Sequence, residues 1–236
     1  MRILTVYAHP DDESFGPAAA LAKYARGGAA LYGVWATRGE HGPVIAAPPP
    51  PAEEVASLRE QDLRQAAALI GYRELEFLGY HDGELAAVAR SELESRVYHA
   101  IARWRPDVVL TFGPGGITHH PDHVAVSYAT TAAFYLARME RTGARELFYD
   151  AVPRALAEQF NLTALPDGNP NTRIDVAACW PIKLDAMRIH ARHMRDARER
   201  LPQLEQQSRS TALFYREWPQ PPAAEPVTGF GTTPGP

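Results

Sequence analysis

The length and charge of the chain exclude several classes of protein. Its 236 residues, 45% of them hydrophobic, are enough for one large domain with a sizeable core. A net charge of -4 provides no basic field for nucleic acid, and no apolar run has the length that a bilayer requires, so we expect neither nucleic-acid nor membrane partners. Cys179 is the single cysteine, which excludes a disulfide within the chain. With no signal peptide expected, these features predict a cytoplasmic protein.

Apolar runs and helical periods alternate along the chain. The predicted strands cover residues 3–8, 29–36, 74–78, 107–112, 146–152 and 172–176, and the predicted helices cover 15–26, 53–70, 92–104, 121–139 and 182–204. This alternation predicts an α/β fold, a Rossmann-like three-layer sandwich with a mostly parallel central sheet, as a single domain over residues 1–217. The proline run of residues 48–51 is expected on the surface. Residues 218–236 are rich in proline and glycine and are predicted to form a disordered or loosely attached tail.

A polar motif, Ala8-His9-Pro10-Asp11-Asp12-Glu13, follows the first predicted strand directly. It therefore lies at the carboxyl edge of the sheet, where open α/β sheets bind their ligands. The motif crowds one imidazole and three carboxylates into five residues. Adjacent like charges raise each other's pKa unless a cation neutralises them, so the motif predicts a divalent metal site.

A second polar motif, His119-His120-Pro121-Asp122-His123, follows the fourth predicted strand and a glycine-rich loop. Pro121 suits the first position of the next helix, and His120 and His123 then face the same way. The ends of strands one and four are commonly neighbours in such sheets. His9 and Asp12 are therefore expected to meet His123.

Two imidazoles and one carboxylate suit zinc, and three protein ligands leave a coordination position for water. Bound zinc makes that water more acidic and polarises a carbonyl that shares the metal. A second carboxylate can take the proton of the water, and an imidazole can stabilise the oxyanion or protonate the leaving amine. Asp11 or Asp12 fits the first role, and His119 or His120 fits the second.

The two motifs together resemble those of the zinc-dependent de-N-acetylases related to the N-acetylglucosaminyl-phosphatidylinositol deacetylase, the PIG-L or LmbE-like family, with bacterial relatives in mycothiol and bacillithiol biosynthesis. Weaker similarity at Thr37-Arg38-Gly39-Glu40, Leu78 to Gly83 and Lys183 extends the match to about His190. The resemblance implies three groups of site residues. They are the metal ligands His9, Asp12 and His123; the catalytic groups Asp11 as general base, His120 as acid or oxyanion group and Asp122 orienting His120; and the substrate-binding residues Arg59, Asp82 and His190.

The resemblance also implies an activity, the removal of acetyl from an N-acetylated amino-sugar conjugate of the N-acetylglucosamine type. Zn2+ is the expected cofactor, with Fe2+ or another divalent metal as alternatives, and relatives commonly form homo-oligomers. Other interpretations stay open: an amidase acting on another small amide such as a thiol conjugate, a non-catalytic sugar-binding module, and an iron oxygenase, against which the βα alternation argues. Arg59 and Asp82 could instead form an ordinary salt bridge, and Glu13 is expected to cap the following helix or to support the site indirectly.

The chain departs from the family pattern in one region. Arg192-His193 stands where Ser-Gln is common, and Asp62 stands where glutamate is usual. These departures leave undetermined which residues contact the substrate at the back of the pocket, and they do not affect the expected metal chemistry.

Overall fold

Strands and helices alternate along the chain as the hydrophobic pattern predicts. The structure is a computed structural model that describes residues 1–152, 154, 157–158, 162, 170–206, 210–219 and 228–231. Its strands are β1 (Arg2–Tyr7), β2 (Ala30–Thr37), β3 (Tyr72–Tyr80), β4 (Val108–Phe112), β5 (Glu146–Asp150), β6 (Thr172–Asp175) and β7 (Thr211–Trp218). Its helices are α1 (Asp12–Phe15), α2 (Ala18–Arg26), α3 (Ala52–Ile70), α4 (Arg90–Trp104), α5 (Pro121–Met139), α6 (Trp180–His190) and α7 (Arg195–Glu205).

The seven strands form one sheet in the order β3-β2-β1-β4-β5-β7-β6. The pairs β1 with β4, β2 with β3, and β4 with β5 are parallel, whereas β7 runs antiparallel to β5. All five residues of the central strand β4 are buried, as expected of a strand covered on both faces. The predicted α/β fold with a mostly parallel central sheet is thereby confirmed.

The long helix predicted for residues 182–204 is two helices, α6 and α7, separated by a turn. Val44 and Met194 form an isolated antiparallel bridge, and the amide of Ile45 donates to the carbonyl of His193. The amides of His193 and Met194 still donate to the carbonyl of His190, but the next amide, that of Arg195, donates to the distant carbonyl of Pro43, so the helix does not continue. The helix predicted for residues 15–26 begins at Ala18 as α2, because Gly16 and Pro17 separate it from the short helix α1, which ends at Phe15.

The strand β7 was not predicted, because its pattern of half-buried residues is weaker than that of the central strands. It pairs with β5 over a long sequence separation, from Leu147 opposite Trp218 to Asp150 opposite Phe214. The proline run of residues 48–51 lies mostly exposed ahead of α3, as predicted.

The chain divides into two compact units. Unit 1 holds residues 1–6, 85–174 and 213–236, and unit 2 holds residues 7–84 and 175–212. In unit 1, α4 packs against α5; in unit 2, α3 packs against α6. The single domain predicted for residues 1–217 stays a prediction.

Part of the predicted tail packs onto unit 1. Phe230 is buried, with its ring centroid 4.6 Å from that of Phe148 and 4.9 Å from that of Phe214. Residues 228–231 therefore differ from the predicted loose tail, while residues 220–227 and 232–236 lie outside the described residues. Among the helices that the structure describes, none has the length and apolar character needed to span a membrane.

Candidate active site

The first motif leaves β1 in a turn that unit 2 fixes by hydrogen bonds. The carbonyl of Ala8 accepts bonds from the amide and the hydroxyl of Thr37, which ends β2. The amide of His9 donates to Asp12 Oδ2 at 2.8 Å, and His9 Nδ1 lies 4.0 Å from the same oxygen. The turn thereby brings one ring nitrogen of His9 close to a carboxylate oxygen of Asp12.

The second ring nitrogen of His9 is held by Asp82. His9 Nε2 lies 2.9 Å from Asp82 Oδ1, and both side chains are buried. Burial alone would raise the pKa of Asp82, but the hydrogen bond and charge of His9, together with Arg59, hold it well below its ordinary value. Asp82 is therefore a carboxylate anion that orients the imidazole of His9.

The loop that carries Asp82 is tied to the loop that follows β2. The amide of His41 donates to Asp82 Oδ2 at 3.0 Å, and Glu40 Oε1 accepts the amide of Asp82 at 3.0 Å. Glu40 and His41 follow β2, and Asp82 follows β3; these two strands are parallel neighbours in the sheet. This parallel pairing accounts for the position of Asp82 beside the first motif.

Asp11 contacts a buried arginine. Asp11 Oδ2 accepts from Arg59 Nη2 at 3.0 Å, and the guanidinium also donates to the carbonyls of Pro10 and Gly39. Burial raises the pKa of Asp11 to about 6, with Arg59 opposing the shift and Asp12 adding to it. Asp11 is therefore a carboxyl group that can exchange a proton near neutral pH.

Asp12 is perturbed in the same direction. Burial raises its pKa to about 6, although the nearby charge of His9 and the bond from the His9 amide oppose the shift. A buried carboxylate of this kind is stabilised by a cation. The crowding that the sequence indicates is thus present in the folded chain.

Arg59 is almost wholly enclosed, with 4% of its surface exposed. A Cβ atom added at Gly39, where φ is +68°, would lie 2.3 Å from Arg59 Nη1, so the glycine permits both the turn and the close approach of the guanidinium. Within the described residues, Arg59 pairs with Asp11 and Asp82 pairs with His9. The charge of Arg59 also lowers the pKa of Asp82, although the salt bridge of Arg59 is with Asp11.

His190 has a different surrounding from the predicted one. Its ring is fully buried, and His190 Nε2 lies 3.0 Å from Glu13 Oε1, whose side chain is also fully buried. Burial would lower the pKa of His190, but the adjacent carboxylate of Glu13 outweighs it and raises the pKa; Glu13 in turn has a lowered pKa because His190 and Ser14 outweigh its burial. His190 thus contacts the first motif rather than a surface open to a substrate.

The residues at which the chain departs from the family pattern contact one another. Asp62, which is buried, lies 2.6 Å from His193 Nδ1 through one oxygen and 2.7 Å from Arg192 Nη2 through the other. The three substitutions therefore form one cluster between α3 and the turn after α6. Sequence reasoning found each departure but not their contact, because the residues are about 130 positions apart.

The second motif lies in unit 1, at the start of α5. His123 Nδ1 lies 2.9 Å from the carbonyl oxygen of Gly116, and the imidazole stacks on Phe112 at 4.2 Å between centroids. A carbonyl can only accept, so the proton of His123 resides on Nδ1 and the lone pair on Nε2. This is the arrangement in which a histidine binds a metal through Nε2.

His120 occupies the position before α5 and caps it. His120 Nδ1 accepts the amide of Asp122 at 3.2 Å, which requires a neutral ring with its proton on Nε2. The Asp122 carboxylate is fully buried and accepts the amide of Leu85 at 3.1 Å. The rings of His120 and His123 lie 5.1 Å apart, whereas His119 is exposed with a φ of 59°.

The fold and these two motifs define a class of protein. The buried imidazole of His9 and several buried carboxylates follow β1 and β3 in unit 2, and two imidazoles follow β4 in unit 1, all at carboxyl ends of parallel strands. A carboxylate orients the ring of His9 and a carbonyl orients the ring of His123, as such partners orient metal ligands. The chain is therefore an α/β protein with the donor set of a divalent-metal enzyme.

Comparison with known proteins identifies the family. The model of the family described as PIG-L, GlcNAc-PI de-N-acetylase, matches residues 4–134, which contain both motifs. A 1D-myo-inositol 2-acetamido-2-deoxy-alpha-D-glucopyranoside deacetylase from Kineococcus radiotolerans is 32% identical over 250 residues, covering 80% of this chain and 68% of that protein. A probable N-acetyl-alpha-D-glucosaminyl L-malate deacetylase 2 from Bacillus anthracis is 32% identical over 190 residues, covering 80% of each chain. The chain belongs to the PIG-L family.

Solved structures share the fold at low sequence identity. The 4-carboxy-2-hydroxymuconate hydratase GalB from Pseudomonas putida KT2440 has a TM-score of 0.73 at 19% identity, covering 94% of this chain and 98% of GalB. The N,N'-diacetylchitobiose deacetylase from Pyrococcus horikoshii has a TM-score of 0.68 at 20% identity, covering 91% of this chain and 83% of that chain. Because one neighbour is a hydratase and the other a deacetylase, the fold alone does not define the reaction.

Proposed function

We propose that the protein is a metal-dependent hydrolase that removes the acetyl group from an N-acetylated amino-sugar conjugate of the N-acetylglucosamine type. The observation that carries this proposal is that both polar motifs lie complete within the region that matches the de-N-acetylase family. Relatives named for an inositol conjugate and for a malate conjugate support the substrate class. The substrates in these two names share an acetylated amine on a glucosamine ring and differ in the group attached to the sugar.

We assign the metal to His9, Asp12 and His123. β1 and β4 pair in parallel, from Ile3 opposite Val108 to Thr5 opposite Leu110, so the segments that follow them leave the sheet at the same edge. Two ligands bound about 2 Å from one cation lie roughly 3 to 4 Å apart, and His9 Nδ1 lies 4.0 Å from Asp12 Oδ2. Two histidines and a carboxylate suit Zn2+, and Fe2+ is the alternative.

Zinc held there would acidify a water molecule and polarise the acetyl carbonyl. Asp11 accepts the proton of the attacking water, for which a pKa of about 6 is well matched. The N–H group of His120 Nε2 donates a hydrogen bond to the oxyanion, and the proton that Asp11 accepted passes to the departing nitrogen as the C–N bond breaks, giving acetate and the free amine. The Asp122 carboxylate accepts the amide of Leu85 and so fixes the start of α5. The backbone amide of Asp122 donates to His120 Nδ1, which keeps the proton of His120 on Nε2.

Arg59 and Asp82 are proposed to bind hydroxyl groups of the sugar. A guanidinium and a carboxylate offer donors and acceptors in fixed directions. Arg59 also orients the carboxylate of Asp11, and Asp82 also orients the imidazole of His9. The cytoplasmic location and a homo-oligomeric assembly stay predictions.

The test is the release of free amine from a set of N-acetylglucosamine derivatives. The set contains the inositol conjugate, the malate conjugate, diacetylchitobiose and N-acetylglucosamine itself, each assayed with zinc-loaded, iron-loaded and chelator-treated protein. We expect amine release from at least one conjugate, lost after chelation and restored by the metal. If neither zinc-loaded nor iron-loaded protein releases amine from any of the four, the proposed activity is refuted.

A further inference from the structure

The backbone of Asp11 has a conformation that residues with a side chain rarely adopt. Its φ is 114° and its ψ is -23°, and it stands at the start of α1 with no capping bond from its own side chain. A positive φ at a residue other than glycine persists only where the surroundings impose it. Contacts of the neighbouring residues must therefore hold Asp11 in place.

Glu13 provides one of these contacts. Its Oε2 accepts the backbone amide of Asp11 at 3.1 Å, while its Oε1 accepts from Ser14 Oγ at 2.6 Å and pairs with His190 Nε2 at 3.0 Å. Glu13 and His190 are both fully buried. The orientation of the Glu13 carboxylate, and with it the Asp11 amide, therefore depends on a residue 177 positions away.

A contribution to the free energy of unfolding does not explain the buried Glu13–His190 pair. Replacing a buried ion pair by apolar side chains of similar size is often neutral or stabilising, because both groups lose their hydration. His190 Nδ1 is also buried and makes no hydrogen bond within the described residues, which adds a further cost. A pair kept at this cost, in contact with a strained residue of the site, indicates a role in positioning.

Helix α6, which carries His190, also binds the carbonyl oxygens of residues 14–16 through Lys183. Lys183 Nζ donates to the carbonyl oxygens of Ser14, Phe15 and Gly16 at 2.6, 2.5 and 2.7 Å. Lys183 and His190 are seven residues apart on α6, which is about two turns, so they share one face. This face of α6 contacts the segment from the Asp11 amide to Gly16.

We propose that His190 is a positioning residue for the hydrolysis, acting through Glu13 on the backbone of Asp11. The pair keeps Asp11 in its left-handed conformation, in which its carboxylate meets Arg59 Nη2 at 3.0 Å. This inference rests on the proposed function of Asp11 as the base. It replaces the predicted contact of His190 with the substrate.

The test compares His190→Leu, which fills the space without a donor, with His190→Gln, which keeps an N–H group for Glu13. Metal content, kcat and KM are measured on zinc-loaded protein. We expect His190→Leu to lower kcat about 100-fold with KM and metal content unchanged, since a small displacement of a catalytic group has an effect of that size. We expect His190→Gln to recover most of the lost kcat.

Met187→Ala is the matched control, because Met187 is fully buried on the same helix and belongs to an apolar cluster. It should destabilise the fold and leave kcat per zinc-loaded molecule unchanged. If His190 has a merely structural role, His190→Leu will behave like Met187→Ala, and that result overturns the inference.

Asp11→Asn separates this inference from the proposed function. An inactive Asp11→Asn protein beside a fully active His190→Leu protein refutes only the role of His190. An Asp11→Asn protein with wild-type turnover refutes the role of Asp11 and the inference with it.

Discussion

The imidazole of His123 lies flat on the ring of Phe112, with an angle of 6° between the two planes. Phe112 ends β4 and His123 lies in the first turn of α5, so the stack joins the strand to the helix across the glycine-rich loop. The carbonyl of Gly116 holds the ring by its Nδ1 edge. Thr118 Oγ1 also lies 3.2 Å from Nδ1, so the stack and the contacts at Nδ1 together determine the direction of Nε2.

Removing the stack should weaken metal binding. We expect Phe112→Leu to lower the zinc affinity about 10- to 100-fold, as the loss of a group that orients a ligand usually does. Competition with a chromophoric chelator measures the affinity. Phe148→Leu, in a buried strand of the same unit, is the control and should bind zinc as the wild type does; an equal loss in both variants would contradict this role for Phe112.

Crowding at Gly116 should act on the same histidine. A Cβ at this position would lie 2.7 Å from His123 Cβ, and φ is +64°, so Gly116→Ala should lower the free energy of unfolding by more than the roughly 1–2 kcal/mol of the backbone conformation alone. Gly28→Ala is the matched control, because its φ is +91° and nothing lies within 4 Å of the added atom. Urea unfolding compares the two, and the idea fails if they lose the same stability.

Metal analysis can separate the proposed role of Asp11 as general base from that of His123 as metal ligand. We expect Asp11→Ala to retain zinc and to lose turnover by about 10²- to 10⁴-fold, because it lacks the base. We expect His123→Ala to lose zinc first, because it lacks a ligand. Metal content and amine release are measured on the same preparations, and unchanged amine release by Asp11→Ala would remove Asp11 from the mechanism.

Asp82 should affect the metal as well as the sugar. Asp82→Ala leaves His9 Nε2 without its carboxylate partner at 2.9 Å, so we expect the zinc affinity to fall about 10- to 100-fold. A residue that only binds the sugar would raise KM and leave the zinc affinity unchanged. Chelator competition and KM, measured together at saturating zinc, distinguish the two results.

Tyr149 should make the stability depend on pH in the alkaline range. Burial raises its pKa above the ordinary value of 10.0, with the bond to the Thr131 hydroxyl opposing the shift. The folded chain then holds its phenol proton more tightly than the unfolded chain, so this contribution to stability is present below about pH 10 and is lost as the pH rises further.

We expect Tyr149→Phe to lower the free energy of unfolding by about 1 kcal/mol at neutral pH, through the lost hydrogen bond, and to reduce its fall above about pH 10. Urea unfolding from about pH 8 to about pH 11 tests this. Tyr128→Phe, at a half-exposed side chain, is the control and should leave the profile as it is. Identical profiles for the wild type and Tyr149→Phe would contradict the prediction.

Sequence alone determined the alternation of strands and helices and both polar motifs, because these depend on residues close together in the chain. It also indicated which side chains offer metal-binding atoms, since the types and spacing of His9, Asp12, His120 and His123 are local properties. Only the tertiary structure decided the partners of these groups. The contacts of Glu13 with His190 and of Asp62 with His193 join residues more than a hundred positions apart, and the bridge between Val44 and Met194 interrupts a helix that local periodicity favours. Such pairings depend on the packing of distant segments, about which local pattern carries no information.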